Sequence, residues 1–315
     1  METALKEISY YKTGGTVDQL YAPGSVKELA DVMREIHNRK LPYFLLGAGS
    51  NSLIMDEHWP GAVVIFSNLN SITVHGTKVI AEAGVDNTIF AENCLEMSLG
   101  GASWMYNLPG QLGSTIRMNA RCYGGEISRI VQSVTAVSEN GKIRQYRADE
   151  VFIGYKNTVF MSNKEVVALA EFSLFHDEQV DILELMEHCK VDREKKQQFL
   201  YPSCGCVFKN NYSVGVPSGL LLDKADVREL SSDYVEISPY HANFVFNKGA
   251  SAREILETTL KMRDIVYKLF GVWLEYEMEI LGIIPDDLKS KVAESRLSKP
   301  KEQKLKALRE EFHES

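Results

Sequence analysis

Leu41-Pro42-Tyr43-Phe44-Leu45-Leu46-Gly47-Ala48-Gly49-Ser50-Asn51 is a short apolar run between a proline and a glycine-bearing loop, the pattern of a buried strand that turns sharply at its end. Upstream, Ser25-Val26-Lys27-Glu28 has the form of a capping box. Leu29, Val32, Met33 and Ile36 then recur at helical spacing until Asn38-Arg39-Lys40. Downstream, GAVVIF at 61–66 and KVIAEAGV at 78–85 add β-rich segments, and residues 86–99 predict a second helix stopped by Gly100-Gly101. Helix, strand and loop in this order predict an α+β fold.

The segment from Asn107 to Ser128 holds too much Gly, Pro and Asn for regular structure and predicts an irregular loop region. SRIVQSVTAVSENGKIRQYRADE at 128–150 predicts a hairpin with Asn140-Gly141 in a type I′ turn. Charge density rises from Asp177 to Lys196, which predicts a polar helix joining two units. The second unit begins at YPSCGCVFKNN and holds a helix capped by Ser251-Ala252-Arg253-Glu254 and closed by Gly271. In VWLEYEMEI at 272–280, period-two alternation predicts a terminal strand with Val272, Leu274, Tyr276, Met278 and Ile280 in the core and Trp273, Glu275, Glu277 and Glu279 outside. Residues 283–315 carry eight basic and seven acidic side chains divided by Pro300, which predicts two surface helices. The expected division is 1–175, a connecting helix at 176–198, 199–282, and a charged extension at 283–315.

Bulk composition sets outer limits. The chain has 315 residues, 44% hydrophobic and 25% charged, enough for two cores and too apolar for disorder. A net charge of -8 provides no overall basic field for nucleic acid. Cys94, Cys122, Cys189, Cys204 and Cys206 form no metal-ligand spacing and no disulfide framework, so a reducing, cytoplasmic location without metal is expected. The start METALKEISYYKTGG lacks the apolar region of a signal peptide, and no run reaches the about 18 to 20 apolar residues that span a bilayer. No membrane partner is expected.

Gly47-Ala48-Gly49-Ser50-Asn51, followed by Ser52, offers small side chains and exposed backbone N–H groups that can wrap a pyrophosphate. It lacks the third glycine of the dinucleotide fingerprint, and taken alone it would serve equally well as a ligand-free turn. Leu108-Pro109-Gly110-Gln111-Leu112-Gly113-Ser114 is a second donor-rich segment, and two such loops suit one large anionic cofactor.

Read with its neighbours, the sequence resembles the UDP-N-acetylenolpyruvoylglucosamine reductases, the MurB family. The resemblance runs in order from residue 10 to residue 282 through YKTGG, LGAGSNSLI, AGV at 83–85, LPGQLGS, MNARCYGGEIS, GYKNTVF, YPSCGCVFK and SPYHANFVFN. The spacing from GYKNTVF to YPSCGC resembles the shorter, type II form. The resemblance implies an FAD-binding domain of the vanillyl-alcohol-oxidase type followed by a smaller α+β substrate domain. It implies reduction of the enolpyruvyl ether with NADPH as electron donor in cell-wall precursor synthesis, by a monomer or weak oligomer acting on a UDP-linked aminosugar. For FAD it points to Gly47, Ala48, Gly49, Ser50, Asn51 and Ser52, to Gly84, to Pro109, Gly110, Gly113 and Ser114, and to Asn119, Gly125, Glu126 and Ile127.

Reducing that olefin needs a hydride, a proton, and stabilisation of the enolate-like charge formed between them. The resemblance implies three chemical residues gathered at the flavin. Cys206 falls where the family usually has a serine proton donor; a thiol, with a reference pKa of about 8.5, is the stronger acid, and a small packed residue is the plain alternative. Glu277 matches the family's C-terminal glutamate, with Tyr276 in place of a usual proline; residues 275, 277 and 279 otherwise fit a solvated strand face. Lys156 stands where the family usually has arginine, keeping the charge and losing the planar fork. Tyr155, Lys209, His241 and Asn243 are candidates for the substrate side, with packing as the alternative for Tyr155, a structural hydrogen-bonding role for His241 and a solvated strand position for Lys209. A related oxidoreductase acting on another carboxylated substrate, or a flavin-binding redox sensor using Cys206, are the competing functions.

Overall fold

The computed structural model describes residues 3–314 and divides into two compact units that interleave along the chain. Val17–Ala48 and Pro60–Lys195 form the first. Residues 3–16, 49–59 and 196–314 form the second.

Two sheets organise the first unit. Thr16–Tyr21, Trp59–Ile65 and Tyr43–Leu46 are hydrogen-bonded in that order, with Tyr43–Leu46 parallel to Trp59–Ile65. The helix Val26–Arg39 starts where Ser25 Oγ accepts the Glu28 N–H, while the Glu28 carboxylate accepts the Gly24 N–H at 2.8 Å. Its buried stripe, Leu29, Met33 and Ile36, contributes on the order of 1.5–3 kcal/mol per side chain through removal from water. A five-stranded antiparallel sheet runs Ile143–Arg147, Val131–Val137, Val166–Ser173, Lys78–Glu82, Ile72–His75. Phe172 from this sheet meets Phe90 of the helix Asn87–Glu96 at 4.6 Å between ring centroids.

Two local expectations are corrected here. Only Gly141 takes a left-handed φ (76°) in the hairpin loop. Its N–H bonds Ser138 O, so the loop is a type I turn followed by a glycine bulge, not a type I′ turn, which needs Asn140 left-handed as well. The 107–128 segment holds a helix, Leu112–Arg117, because its start is pinned by main-chain bonds that local composition does not reveal.

The second unit is built round the helix Ala252–Phe270. Its capping box at Ser251 and Glu254 is fully made, and Gly271 ends it with φ 70°. The helix packs with Tyr11, Leu53, Met55, Val207 and Leu274 in one core. The expected 272–280 strand is corrected to an irregular segment that becomes a strand only at Glu279–Leu281, parallel to Ser52–Ile54. Trp273, expected outside, is buried because Arg263 and Arg296 lie over its ring at 4.2 and 4.9 Å. The extension forms the helices Asp286–Ala293 and Glu302–Glu314, which bury Leu288, Leu305 and Leu308.

Candidate active site

In the first unit, the strand Tyr43–Leu46 delivers Gly47 to the second glycine loop. A Cβ on Gly47 would lie 3.4 Å from Gln111 Oε1 and 3.5 Å from Ser114 Oγ. The two loops singled out in the sequence therefore meet there. Ala48 is the last residue of this unit, and Gly49, Ser50, Asn51 and Ser52 belong to the other. The Pro109–Gly113 loop lies along residues 83–87. Leu112 N–H donates to Val85 O and Gly113 N–H to Ala83 O, both at 2.8 Å, and Gly110 O accepts from Asn87 N–H at 3.0 Å. These bonds set the helix Leu112–Arg117, whose Ser114 Oγ caps back onto Gln111 O at 2.8 Å. Gly84 has a packing reason of its own: a Cβ would fall 1.7 Å from Phe66 O.

Asn119, with φ 43°, donates from Nδ2 to Glu126 Oε1 and to Gly154 O, both at 3.0 Å. Gly125 lies flat on the indole of Trp104, where a Cβ would come within 2.1 Å of Cδ1. Ile127 is fully buried and its N–H bonds Ala120 O. Lys156 occupies the turn between Phe152–Gly154 and Asn157–Thr158, with φ 51°. Burial pushes the Cys122 thiol up to about 11, opposed in part by the cations of Arg193 and Lys156. Arg121 stacks its guanidinium 4.6 Å over the Tyr155 ring.

Two buried oxygens in this unit, Gln111 Oε1 and Asn119 Oδ1, have no hydrogen-bond partner within the protein. An unsatisfied buried acceptor costs roughly 1–3 kcal/mol, so each calls for a donor from outside the chain. Both belong to the segments proposed for the cofactor.

In the second unit, the main chain after Cys206 runs beside the main chain of Glu277. Val207 O accepts the Glu277 N–H at 2.8 Å and the Met278 N–H at 3.2 Å. Lys209 N–H donates to Glu275 O, and Phe208 pairs with Tyr276. Cys206 and Glu277 are half-buried, whereas Glu275 is exposed. Cys204, by contrast, is buried under Tyr11; burial first, then the neighbouring charges of Cys206 and Glu277, push its thiol well up. Ser203 is also buried, and its hydroxyl accepts the Gly205 N–H at 3.4 Å.

Asn243 is nearly inaccessible to water and uses its amide on the Phe208 backbone, accepting the N–H at 2.9 Å and donating to the carbonyl at 2.8 Å. It thereby fixes the stretch that carries Cys206 and Lys209. The Lys209 ammonium lies 3.9 Å from the Glu275 carboxylate. His241 packs on Phe244 at 4.8 Å, and its Nδ1 accepts the Asn243 N–H. Burial, then the Lys196 cation, lowers its pKa. Asn51 donates to Glu277 O, a role not visible in its loop motif. Among the described residues no cluster of His, Cys, Asp and Glu is arranged to hold a metal ion.

Residues 17–147 match the FAD binding domain family, and residues 195–281 match the C-terminal domain of UDP-N-acetylenolpyruvoylglucosamine reductase. The chain is 33% identical over 279 residues to the UDP-N-acetylenolpyruvoylglucosamine reductase of Clostridium novyi, covering 88% of this chain and 90% of that one. The chain belongs to the UDP-N-acetylenolpyruvoylglucosamine reductase family. The reductase of Borreliella burgdorferi is 32% identical over 282 residues, covering 88% of this chain and 93% of that one. A crystal structure of the MurB reductase from Thermus caldophilus has a TM-score of 0.74 at 25% identity, covering 89% of this chain and 98% of that one.

As a member of this family the chain is an FAD-dependent oxidoreductase, with an FAD-binding domain preceding the family's C-terminal domain. The residues present fit the flavin: two glycine-bearing loops adjoin at Gly47, and the two orphaned acceptors, Gln111 Oε1 and Asn119 Oδ1, are left without a partner by the chain itself. No helix of the described residues is long and apolar enough to cross a membrane.

Proposed function

We propose that the protein reduces UDP-N-acetylenolpyruvoylglucosamine to UDP-N-acetylmuramate, with NADPH as the source of electrons, in the cytoplasmic synthesis of peptidoglycan precursor. The observation that carries this reading is the shared frame of Cys206 and Glu277, locked by the bond from Glu277 N–H to Val207 O at 2.8 Å. It is supported by the relatives, which bear that reductase name at about one-third identity over most of both chains.

Gly47, Ala48, the Pro109–Ser114 loop, Asn119 and the Gly125–Ile127 turn would hold FAD, as would Gly49, Ser50, Asn51 and Ser52, and the bound flavin would supply the hydride for one olefinic carbon. Cys206 Sγ gives its proton to the other carbon, and the thiolate recovers a proton from water; Glu277, on the adjoining main chain, is the third residue assigned to the chemistry. Lys156 Nζ neutralises the substrate carboxylate, on which the enolate-like charge develops; a cation in a site shielded from water stabilises such charge more than it would in bulk. Lys209 serves the diphosphate, while Tyr155, His241 and Asn243 shape the nucleotide-sugar side.

The test is anaerobic. Reduce the bound flavin, add the enolpyruvyl nucleotide sugar, and follow the visible spectrum. Rapid return of the oxidised spectrum with formation of UDP-N-acetylmuramate is expected; reoxidation that waits for oxygen would remove this substrate from consideration.

A further inference from the structure

The 119–127 turn of the first unit is held against a conformational preference. Asn119 and Tyr123 both have left-handed backbones, φ 43° and 49°; asparagine adopts this region readily, but for Tyr123 it costs roughly 1–2 kcal/mol and persists only when neighbours enforce it. The enforcing groups come from the end of the helix Gln179–Lys195, outside the segment that matches the FAD-binding family. Asp192 Oδ2 accepts the Tyr123 hydroxyl at 2.6 Å. The Arg193 guanidinium lies 4.7 Å over the Tyr123 ring and donates to Cys122 Sγ at 3.4 Å, to Tyr106 O at 2.6 Å and to Trp104 O at 3.4 Å. Only 2% of Arg193 is exposed.

One planar fork therefore ties two layers that bound Gly125: the Trp104 shelf on which it lies and the Cys122-Tyr123 turn beside it. A lysine, with a point charge and no fork, cannot bond both carbonyls and cover the ring together.

We propose that Arg193, with Asp192, is a positioning residue for the flavin: the pair holds the 119–127 turn in its cofactor-binding shape before FAD arrives; this rests on the assignment of that turn to the cofactor. Preorganisation of this kind raises affinity by removing the cost of ordering the turn on binding.

The test uses the full-length protein stripped of FAD and reconstituted, with Kd from quenching of flavin fluorescence, the circular dichroism of the bound flavin, and apoprotein melting as a control on folding. Asp192→Asn, which keeps an acceptor for the Tyr123 hydroxyl, is expected to retain the parent Kd. Asp192→Leu and Tyr123→Phe lose one half-buried hydrogen bond to a charged group and should raise Kd about three- to tenfold. Arg193→Lys should raise it roughly tenfold or more and change the flavin dichroism, because several bonds to the turn are lost. If the arginine variant does not fold, Tyr123→Phe, which removes a single oxygen, decides alone. Folded Asp192→Leu and Tyr123→Phe proteins with the parent Kd and dichroism overturn the inference. A parent protein that takes no FAD overturns the cofactor assignment and the inference with it.

Discussion

The side-chain amide of Asn51 donates a 2.9 Å hydrogen bond to the main-chain carbonyl of Glu277, and the Asn51 carbonyl accepts the Glu279 N–H at 2.9 Å. A loop residue that invites a phosphate-binding reading thus also sets the backbone of the carboxylate assigned to chemistry. Removing one such bond costs about 0.5–1.5 kcal/mol, up to roughly tenfold in rate if the lost position matters only in the transition state. Asn51→Ala should therefore lower kcat by several-fold, with flavin content, read from the visible absorbance, falling less. An unchanged kcat would detach the Asn51 bond from catalysis.

Cys206 and Cys204 differ in environment although they are two residues apart. Cys206 is half-buried, while Cys204 is shut beneath Tyr11 with its thiol pushed well up by burial. Thiolate, not thiol, reacts with alkylating agents. Iodoacetamide should inactivate the protein by labelling Cys206 and should spare Cys204, as peptide mass mapping would show. Cys206→Ser should be resistant and keep reductase activity, since an alcohol can also give up a proton to a carbanion; Cys206→Ala should lose most of the oxidative half-reaction. An inactive, flavin-replete Cys206→Ser protein would contradict the assignment of Cys206 as donor.

Lys156 carries its charge from a left-handed turn, so replacements that keep a long cationic side chain suit the same backbone. Lys156→Ala should reduce kcat/KM by roughly 10- to 100-fold, the scale of a lost hydrogen bond to a charged group of about 1.5–3 kcal/mol. Lys156→Arg, which adds a fork for the carboxylate, should match or exceed the parent. Flavin content should be the same in all three. Loss of flavin in Lys156→Ala with normal turnover in the remaining holoenzyme would move the residue from substrate to cofactor.

His241 gives a pH dependence with a definite sign. Burial, with the Lys196 cation, lowers its folded pKa below the ordinary 6.5, and its Nδ1 is an acceptor that protonation would remove. Between the folded and unfolded values the unfolded chain binds more protons. The stability is therefore complete above 6.5 and is lost as the pH falls through 6.5 toward the lower folded value. Urea midpoints measured from pH 8 to pH 5 should fall less steeply in His241→Phe than in the parent. Parallel slopes would show that another group governs acid sensitivity.

Elements whose signals are local were legible in the sequence. Ser25 and Ser251 cap helices through bonds to residues three positions on, and both appear where the capping patterns stand. Features set by distant partners were not. Trp273 fits the outer face of an alternating strand until Arg263 and Arg296 cover it, and Arg193 reads as one more charge on a polar helix until Trp104, Tyr106 and Tyr123 enclose it. At the candidate site, the resemblance to the reductases picked out Lys156, Cys206 and Glu277. The structural reasons for the Cys206 and Glu277 frame, Asn51 and the Asn243 amide, lie 226 and 35 residues from the groups they hold and leave no periodic trace.

The interleaving of the two units has a consequence for how the chain must be made. The Tyr11 hydroxyl finds its acceptor, Val245 O, 234 residues later, and Asn247 closes onto the Tyr11 carbonyl across 236. During synthesis the first unit has all of its chain by Lys195, whereas the opening residues and the 49–59 segment must wait for partners still untranslated. Nascent protein thus carries the apolar Tyr11, Leu53 and Met55 without their core until the C-terminal third emerges, which makes the interval before release its most aggregation-prone stage.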